Sequence, residues 1–218
     1  MVEGDTTSDV SNSTRTYLVM KAETEVALEL AEESWEDKVI PSYINVRPLL
    51  KSEIPEFVEL YNRCFLASPD PFCPISIQEA EQLDLDGIFV AEMWDQLAGF
   101  IACFIEKDKD SYYGEITGIG VLAARRRKGV ATALIKEASE YFIDAGVDEI
   151  YCEVYEKNIP SQKLIQAYGF VTIGRREIHI GIVSLDKVDR ELPGGKIMRR
   201  LGLRPRAGCE DCRDIKNL

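Results

Sequence analysis

Four consecutive basic residues, Arg125 to Lys128, lie between a predicted strand and the most regular helix of the sequence. The strand covers 113–122, and the helix covers 128–145, where apolar residues recur along one side. The start of a helix leaves backbone N–H groups without partners, and the small residues Gly129 and Ala131 let a ligand approach them closely. We therefore predict a site for a phosphate or pyrophosphate here, with a solvated basic loop as the alternative.

The rest of the chain is acidic. Its 218 residues include 26 basic and 38 acidic side chains, which gives a formal net charge of −12. Ten acids and three bases in the first forty residues give that segment a charge of −7. A surface of this sign repels phosphate backbones, so the composition argues against nucleic acid as a partner. The basic run matches neither the Walker pattern nor the dinucleotide-binding glycine pattern.

Targeting and metal-binding signals are also missing from the sequence. No apolar run approaches the roughly 18–20 residues that span a bilayer, and no basic segment followed by an apolar stretch opens the sequence. We therefore expect a cytoplasmic protein with no membrane partner. The six cysteines are expected to be reduced thiols. Cys209 and Cys212 have the spacing of metal ligands but no second pair or histidine nearby, so we expect no metal site.

Periodicity and turn signals predict a domain over 43–203, an acidic N-terminal extension over 1–42 and a tail over 204–218. Residues 1–14 are expected to be flexible because they contain hardly any apolar side chain. The remainder of the extension combines a short apolar stretch with an acidic helix at the periphery of the domain or on a second subunit. The predicted order of the domain is β, α, α, β, β, β, α, β, α, β, β, ending with a strand at Lys196–Leu201. This order requires an α/β fold with a mixed sheet.

Two motifs lie within this order. The first is Arg126-Arg-Lys-Gly129-Val-Ala131, and the second runs from Asn158-Ile-Pro-Ser161 to Gly169-Phe170. Both resemble signature motifs of the GNAT (Gcn5-related N-acetyltransferase) family, and the element order agrees with that family over about 44–203. The resemblance is strongest over 113–170. It implies a mixed, mostly antiparallel sheet with a parallel, splayed central strand pair, flanked by helices.

The resemblance also implies acetyl-CoA as cosubstrate. Backbone groups of Ile119 and Val121 would hold the pantetheine arm, amides of the basic loop and first helical turn would bind the pyrophosphate, and the second motif would contact the far side of the coenzyme. The residues implied are Ile119, Val121, Arg126, Arg127, Lys128, Gly129, Val130, Ala131, Thr132, Asn158 and Ser161. Gly118 and Gly120 within the strand indicate a bulge, a close approach by a ligand, or an accommodation to a neighbouring side chain.

An amine acceptor must lose a proton before it attacks, because an ammonium with a pKa near 10.4 is almost wholly protonated at pH 7. By the resemblance, the candidate bases are Glu115, at the spacing found in histone acetyltransferases, and Glu153, at the position found in ribosomal-protein N-terminal acetyltransferases. For either carboxylate, the alternative is a strand charge that faces solvent. No cysteine is placed beside a histidine for a covalent route, which favours direct attack in a ternary complex.

The general acid of the family is not matched. Ile165 stands where many members have a tyrosine, and Tyr155 or Tyr168 are the substitutes that we consider. The sequence predicts transfer of an acetyl group from acetyl-CoA to a primary amine on a small molecule or a protein. Two alternatives stay open: a non-catalytic acyl-CoA sensor, and a scaffold whose N-terminal helix binds a basic partner. A homodimer is compatible with the sequence, which identifies neither the acceptor nor the oligomeric state.

Overall fold

The computed structural model describes residues 13–37, 43–70, 74–108 and 111–180. Within these ranges the chain forms strands and α-helices joined by short loops and two single turns of 3₁₀ helix. The strands are β1 Ser13–Glu23, β2 Ile44–Pro48, β3 Ile88–Met93, β4 Gln96–Asp108, β5 Ser111–Val121, β6 Glu149–Tyr155 and β7 Val171–Ile180. The helices are α1 Thr24–Asp37, α2 Ile54–Leu66, α3 Ile77–Ala80, α4 Val130–Asp144 and α5 Ile159–Gln166.

All seven strands form one sheet, in the order β2-β3-β4-β5-β6-β1-β7. Neighbouring strands are antiparallel, except that β5 and β6 run parallel. The predicted fold class is therefore confirmed, including the parallel pair within a mostly antiparallel sheet. The connection from β5 to β6 passes through α4, as a parallel pair requires.

The N-terminal boundary differs from the one that the sequence predicts. Residues 13–23, which we assigned to an extension, form β1 between β6 and β7. Val19 and Met20 are fully buried on opposite faces, because β1 is covered on both sides of the sheet. A short apolar stretch flanked by charges is therefore an interior strand here. The flexible segment predicted over 1–14 lies outside the described residues, apart from the first two residues of β1.

Helices cover both faces of the sheet. On one face α4 packs against α1, whose Ala27 and Ala31 are fully buried, and Lys136 of α4 lies 3.6 Å from Glu32 of α1. On the other face α2 buries Phe57 and Tyr61 against the strands. The predicted acidic helix thus has one packed side and one solvated side.

Local sequence signals agree with the structure where the predicted elements are described. The β3–β4 hairpin forms, and the predicted helix over 128–145 is observed at Val130–Asp144 and followed by Gly146 with φ 69°. Ser76 caps α3 by accepting a hydrogen bond from the backbone N–H of Glu79 at 3.3 Å. The strand predicted at Lys196–Leu201 lies outside the described residues.

Candidate functional site

The parallel strands β5 and β6 pair over only three residues each, Gly114–Ile116 with Ile150–Cys152, and then separate. The separation follows a β-bulge: Thr117 is an extra residue in β5 opposite the step from Ala102 to Cys103, and its hydroxyl donates to the carbonyl of Ala102 at 3.2 Å. A bulge bends the strand and increases its twist. The sheet therefore has a fork, which we define as the gap between 117–121 of β5 and 153–155 of β6.

Gly118 and Gly120 of β5 have different structural explanations. Gly118 is adjacent to the bulge, which agrees with the interpretation of a strand glycine as the sign of a bulge. A Cβ atom on Gly120 would lie 2.5 Å from Phe100 and 2.8 Å from Cys64, so this glycine accommodates packing with the α2 layer. Ile119 and Val121 are partly exposed beside the fork, where the resemblance places the pantetheine arm.

The basic run forms a turn at the open end of the fork. Arg127 and Gly129 both have positive φ, 63° and 87°, and Gly129 caps the N-terminus of α4. The N–H of Ala133 is the first to bond within the helix, to the carbonyl of Gly129 at 3.0 Å. The amides of 130–132 precede it and have no acceptor within the helix, as at any helix start. Arg126 folds back, and its Nε donates to the carbonyl of Val121 at 3.0 Å.

The second motif begins α5 at the end of β6. Asn158 is only 3% exposed, and its Oδ1 accepts from the N–H of Ser161 at 3.2 Å as a helix cap. Its Nδ2 donates to Ser68 Oγ at 3.2 Å and to the carboxylate of Asp70. The amide of Asn158 thus connects the start of α5 to the α2–α3 loop.

Glu115 and Glu153 lie on the same face of the sheet. A Cβ on Gly114 would meet Phe142 of α4, and Cys152 is buried in the α4 layer, so the alternating neighbours Glu115 and Glu153 face the α2 layer. Glu115 is fully buried within the paired segment, and Glu153 lies one residue beyond it. The alternative interpretation as solvent-facing charges is wrong for both.

Glu153 has a cationic neighbour that the sequence did not identify. Its side chain is 1% exposed, and Oε1 lies 3.0 Å from Nε of Arg176, which is on β7. Between β6 and β7 lies β1, so this ion pair spans two strand spacings. Alternation along β7 could have placed Arg176 on one face, but only the strand order reveals its partner.

The two candidate tyrosines occupy different faces. The hydroxyl of Tyr168 lies 2.8 Å from Thr132 Oγ1 and also bonds to Ser34, while burial raises its pKa. The hydroxyl of Tyr168 therefore forms its hydrogen bonds on the face of the sheet that α1 and α4 cover. Tyr155 lies with its ring 5.5 Å from that of Tyr17, whose pKa is raised mainly by burial. Ile165 is 2% exposed in the α4-side core.

A groove of about 790 Å³ lies near the basic turn, between α2 and the β3–β4 hairpin. Five carboxylates line it, together with Arg63, Arg125 and three leucines. The acids are Glu53, Glu56, Glu59, Glu92 and Asp95. Arg125 therefore stands at the boundary between an acidic surface and the basic turn.

The described residues contain no group of three histidine, cysteine or acidic side chains placed to hold a metal. Cys64, Cys103 and Cys152 are buried free thiols, and burial raises the pKa of Cys64 to about 12. Within the same ranges, no helix has both the length and the apolar character needed to cross a membrane.

Comparisons with known proteins agree with this architecture. The sequence model of the acetyltransferase (GNAT) family matches residues 54–170, more than half of the chain. An uncharacterized N-acetyltransferase, YuaI of Bacillus subtilis, is 29% identical over 119 residues, which are 54% of this chain and 68% of the relative. N-alpha-acetyltransferase 30 of Xenopus laevis is 31% identical over 84 residues, 38% of this chain and 31% of that protein.

Solved structures show the same fold. A functionally unknown protein of Staphylococcus epidermidis has a TM-score of 0.58 at 16% identity, covering 78% of this chain and 62% of that one. AAC(6')-Iy, solved with the bisubstrate analogue CoA-S-monomethyl-acetylneamine, has a TM-score of 0.53 at 25% identity, covering 65% of this chain and all of that one. The family match over 54–170 agrees with the observed fork of the sheet, which lies beside the N-terminus of α4. This chain therefore belongs to the GNAT family of acetyltransferases.

Proposed function

We propose that this protein transfers an acetyl group from acetyl-CoA to a primary amine. The fork is the main support for this proposal. Its unpaired strand edges can hold an extended arm, and the N-terminus of α4 beside them can hold a phosphate. Membership of the GNAT family and the CoA-linked analogue bound by AAC(6')-Iy support the choice of donor.

The residues around the fork have separate roles in this proposal. Backbone groups of Ile119 and Val121 line the arm, and the amides of 127–132 bind the pyrophosphate. The exposed cations Arg126 to Lys128 balance its charge. The carbonyl of Val121 also accepts from Nε of Arg126, which holds the first cation of the turn beside the position of the arm. Ser161 borders the coenzyme from the α5 side, and Asn158, whose side-chain amide is bonded within the protein, positions the start of α5.

The reaction is a direct attack. At pH 7 only about one lysine-like amine in 2,500 is unprotonated, so a carboxylate that removes the proton speeds the reaction. Glu115 or Glu153 accepts this proton, directly or through a water. The amine nitrogen forms a bond to the thioester carbonyl carbon, the carbon–sulfur bond breaks, and the thiolate of CoA leaves and takes up a proton. Tyr155 is the candidate donor of that proton.

The acceptor is a cation before it reacts. The net charge of −12 favours positively charged acceptors by attraction at a distance. Burial raises the pKa of Tyr17, and the negative charges of Asp70 and Glu153 raise it further, so two carboxylates lie near this residue of β1. Polyamines, amino sugars and protein amines all carry suitable ammonium groups.

The test combines coenzyme binding with turnover. Calorimetry measures the Kd of CoA, and release of free thiol from acetyl-CoA with an amine panel measures transfer. We expect binding by the wild type and an approximately tenfold higher Kd for Gly129→Ala, because a Cβ at φ 87° strains the cap that presents the amides.

Gly146→Ala is the matched control. Gly146 lies at the other end of α4 with φ 69°, and a Cβ added there would have nothing within 4 Å, so the substitution imposes similar backbone strain away from the fork. Its Kd for CoA should equal that of the wild type. Lack of CoA binding by the wild type would disprove the proposal. Binding without thiol release for any amine would instead indicate the non-catalytic sensor, which the apolar Ile165 favours.

A further inference from the structure

The β3–β4 hairpin contacts the basic turn through an exposed tryptophan. Trp94 and Asp95 form the two-residue turn, since Met93 and Gln96 on either side are paired. Both turn residues have positive φ, 52° and 57°, although neither is glycine. Side chains in this conformation are costly, and such turns favour Asn-Gly. Trp94 is also 52% exposed, so burial of its indole does not explain its presence.

The indole of Trp94 is part of a stack with two cations. The ring of Tyr43 lies 4.7 Å away at an interplanar angle of 23°. The guanidinium carbon of Arg125 lies 4.7 Å from the indole centroid, and the ammonium of Lys128 lies 5.6 Å from it. Both distances are within the range of cation–π attraction. The turn holds Arg125 by a second contact as well, because Nη2 donates to Gln96 Oε1 at 3.3 Å.

Arg125 has competing partners on its other side. The acidic groove that it lines contains Asp95, together with Glu59 and Glu92, which are already paired with Arg63 and Arg47. Without the stack, attraction to this acidic surface would compete with the position of Arg125 beside the basic turn. Arg125 and Lys128 flank the turn that precedes the free amides of α4. The stack with Trp94 therefore favours a position of both cations near the helix N-terminus.

We propose that Trp94 is a positioning residue that holds Arg125 and Lys128 where their charges reach the phosphates of the coenzyme. This inference rests on the proposed function, since it assigns the ligand of the basic turn to CoA. Trp94 touches neither the thioester nor the amine in this scheme. It acts through the two cations, so its effect is on coenzyme affinity and not on the chemical step.

The test uses the full chain with Trp94→Leu and Trp94→Phe, and CoA as the probe. Trp94→Leu should raise the Kd of CoA by about fivefold to thirtyfold at low salt, the range expected for the loss of two exposed cation–π contacts. The increase should shrink at high salt, which screens the charges that Trp94 positions. Trp94→Phe, which keeps an aromatic face, should recover most of the affinity. KM for acetyl-CoA should rise in parallel with Kd, while kcat stays unchanged.

A double-mutant cycle shows whether Trp94 acts through Arg125. In an Arg125→Gln background, Trp94→Leu should have a smaller effect on Kd than in the wild type, because one of the positioned cations is gone. Urea unfolding of each variant separates this effect from a loss of stability. Equal CoA affinity of Trp94→Leu and wild type, or a Trp94→Phe variant as weak as Trp94→Leu, would overturn the inference. Failure of the wild type to bind CoA would instead reject the proposed function.

Discussion

Two buried carboxylates, Glu115 and Glu153, lie on the same face of the sheet, and the proposed reaction needs only one base. Replacing the base by its amide isostere removes the proton acceptor without changing volume. We predict that either Glu115→Gln or Glu153→Gln lowers kcat by about 10²–10⁴, while the Kd of CoA stays constant. Thiol release at saturating amine measures kcat, and calorimetry measures binding.

Glu177→Gln is the control for this experiment, because Glu177 is an exposed carboxylate on the same sheet. Its kcat should equal that of the wild type. If both Glu115→Gln and Glu153→Gln keep the wild-type kcat, neither residue is the base.

Residue identities at the site were partly predictable from sequence. The glycine and basic residues of the turn could be found because their chemistry and spacing are local. The Arg176–Glu153 pair could not, because the two residues are 23 positions apart and come together only through a third strand from the N-terminus. The stack on Trp94 was missed for a similar reason. The sequence around Trp94 does not show that its indole contacts Tyr43 and Arg125, which are distant along the chain.

At the scale of elements, two asparagines fix the loop between α2 and α3. Asn62 Nδ2 donates to the carbonyl of Ile75 at 3.0 Å, and its Oδ1 accepts from the Ile75 N–H at 2.9 Å. Asn158 binds Ser68 and Asp70 at the other end of the loop. This loop flanks the face on which the two candidate bases lie. Asn62 therefore ties one end of the loop to α2, and Asn158 ties the other end to the start of α5.

We predict that Asn158→Ala lowers the free energy of unfolding by about 1–2 kcal/mol, because it removes a helix cap and buried hydrogen bonds. KM for the amine should rise as the loop loses one anchor, and the Kd of CoA should stay the same. Urea unfolding and steady-state kinetics check these effects. Asn45→Ala on exposed β2 is the control, with stability close to wild type. A raised Kd for CoA would instead support the direct coenzyme contact that the family resemblance implies.

Elements with strong local signals were predictable, and elements defined by distant pairing were not. The hairpin turn, the Ser76 cap and the amphipathic pattern of α4 are short-range features. The β1 strand has only a short apolar stretch within an acidic region, which is equally typical of a peripheral segment. Its position depends on pairing with β6 and β7, more than a hundred residues later in the chain.

For the whole molecule, β1 is the strand that connects β6 to β7. Deleting residues 1–23 would remove the partner of both strands and the contacts that Val19 and Met20 make in both layers. We predict that this deletion abolishes cooperative unfolding and CoA binding. Deleting only residues 1–12, before β1 begins, should leave the urea midpoint unchanged. Circular dichroism and urea titration compare the two deletions.

A folded 24–218 protein with wild-type stability would contradict this placement of β1. It would mean that β6 and β7 reach a stable arrangement without the strand between them. The contacts of α1 with α4 also make the N-terminal segment part of the folded domain, because Ala27 and Ala31 of α1 are fully buried.

The position of β1 also has a consequence for biosynthesis. The ribosome makes this strand first, yet its neighbours emerge only when residues 149–180 have been translated. At elongation rates of about 5–20 residues per second, the nascent strand waits roughly six to thirty seconds for them. Its apolar side chains lack their native strand partners for that time, so the centre of this half of the sheet is completed late in translation.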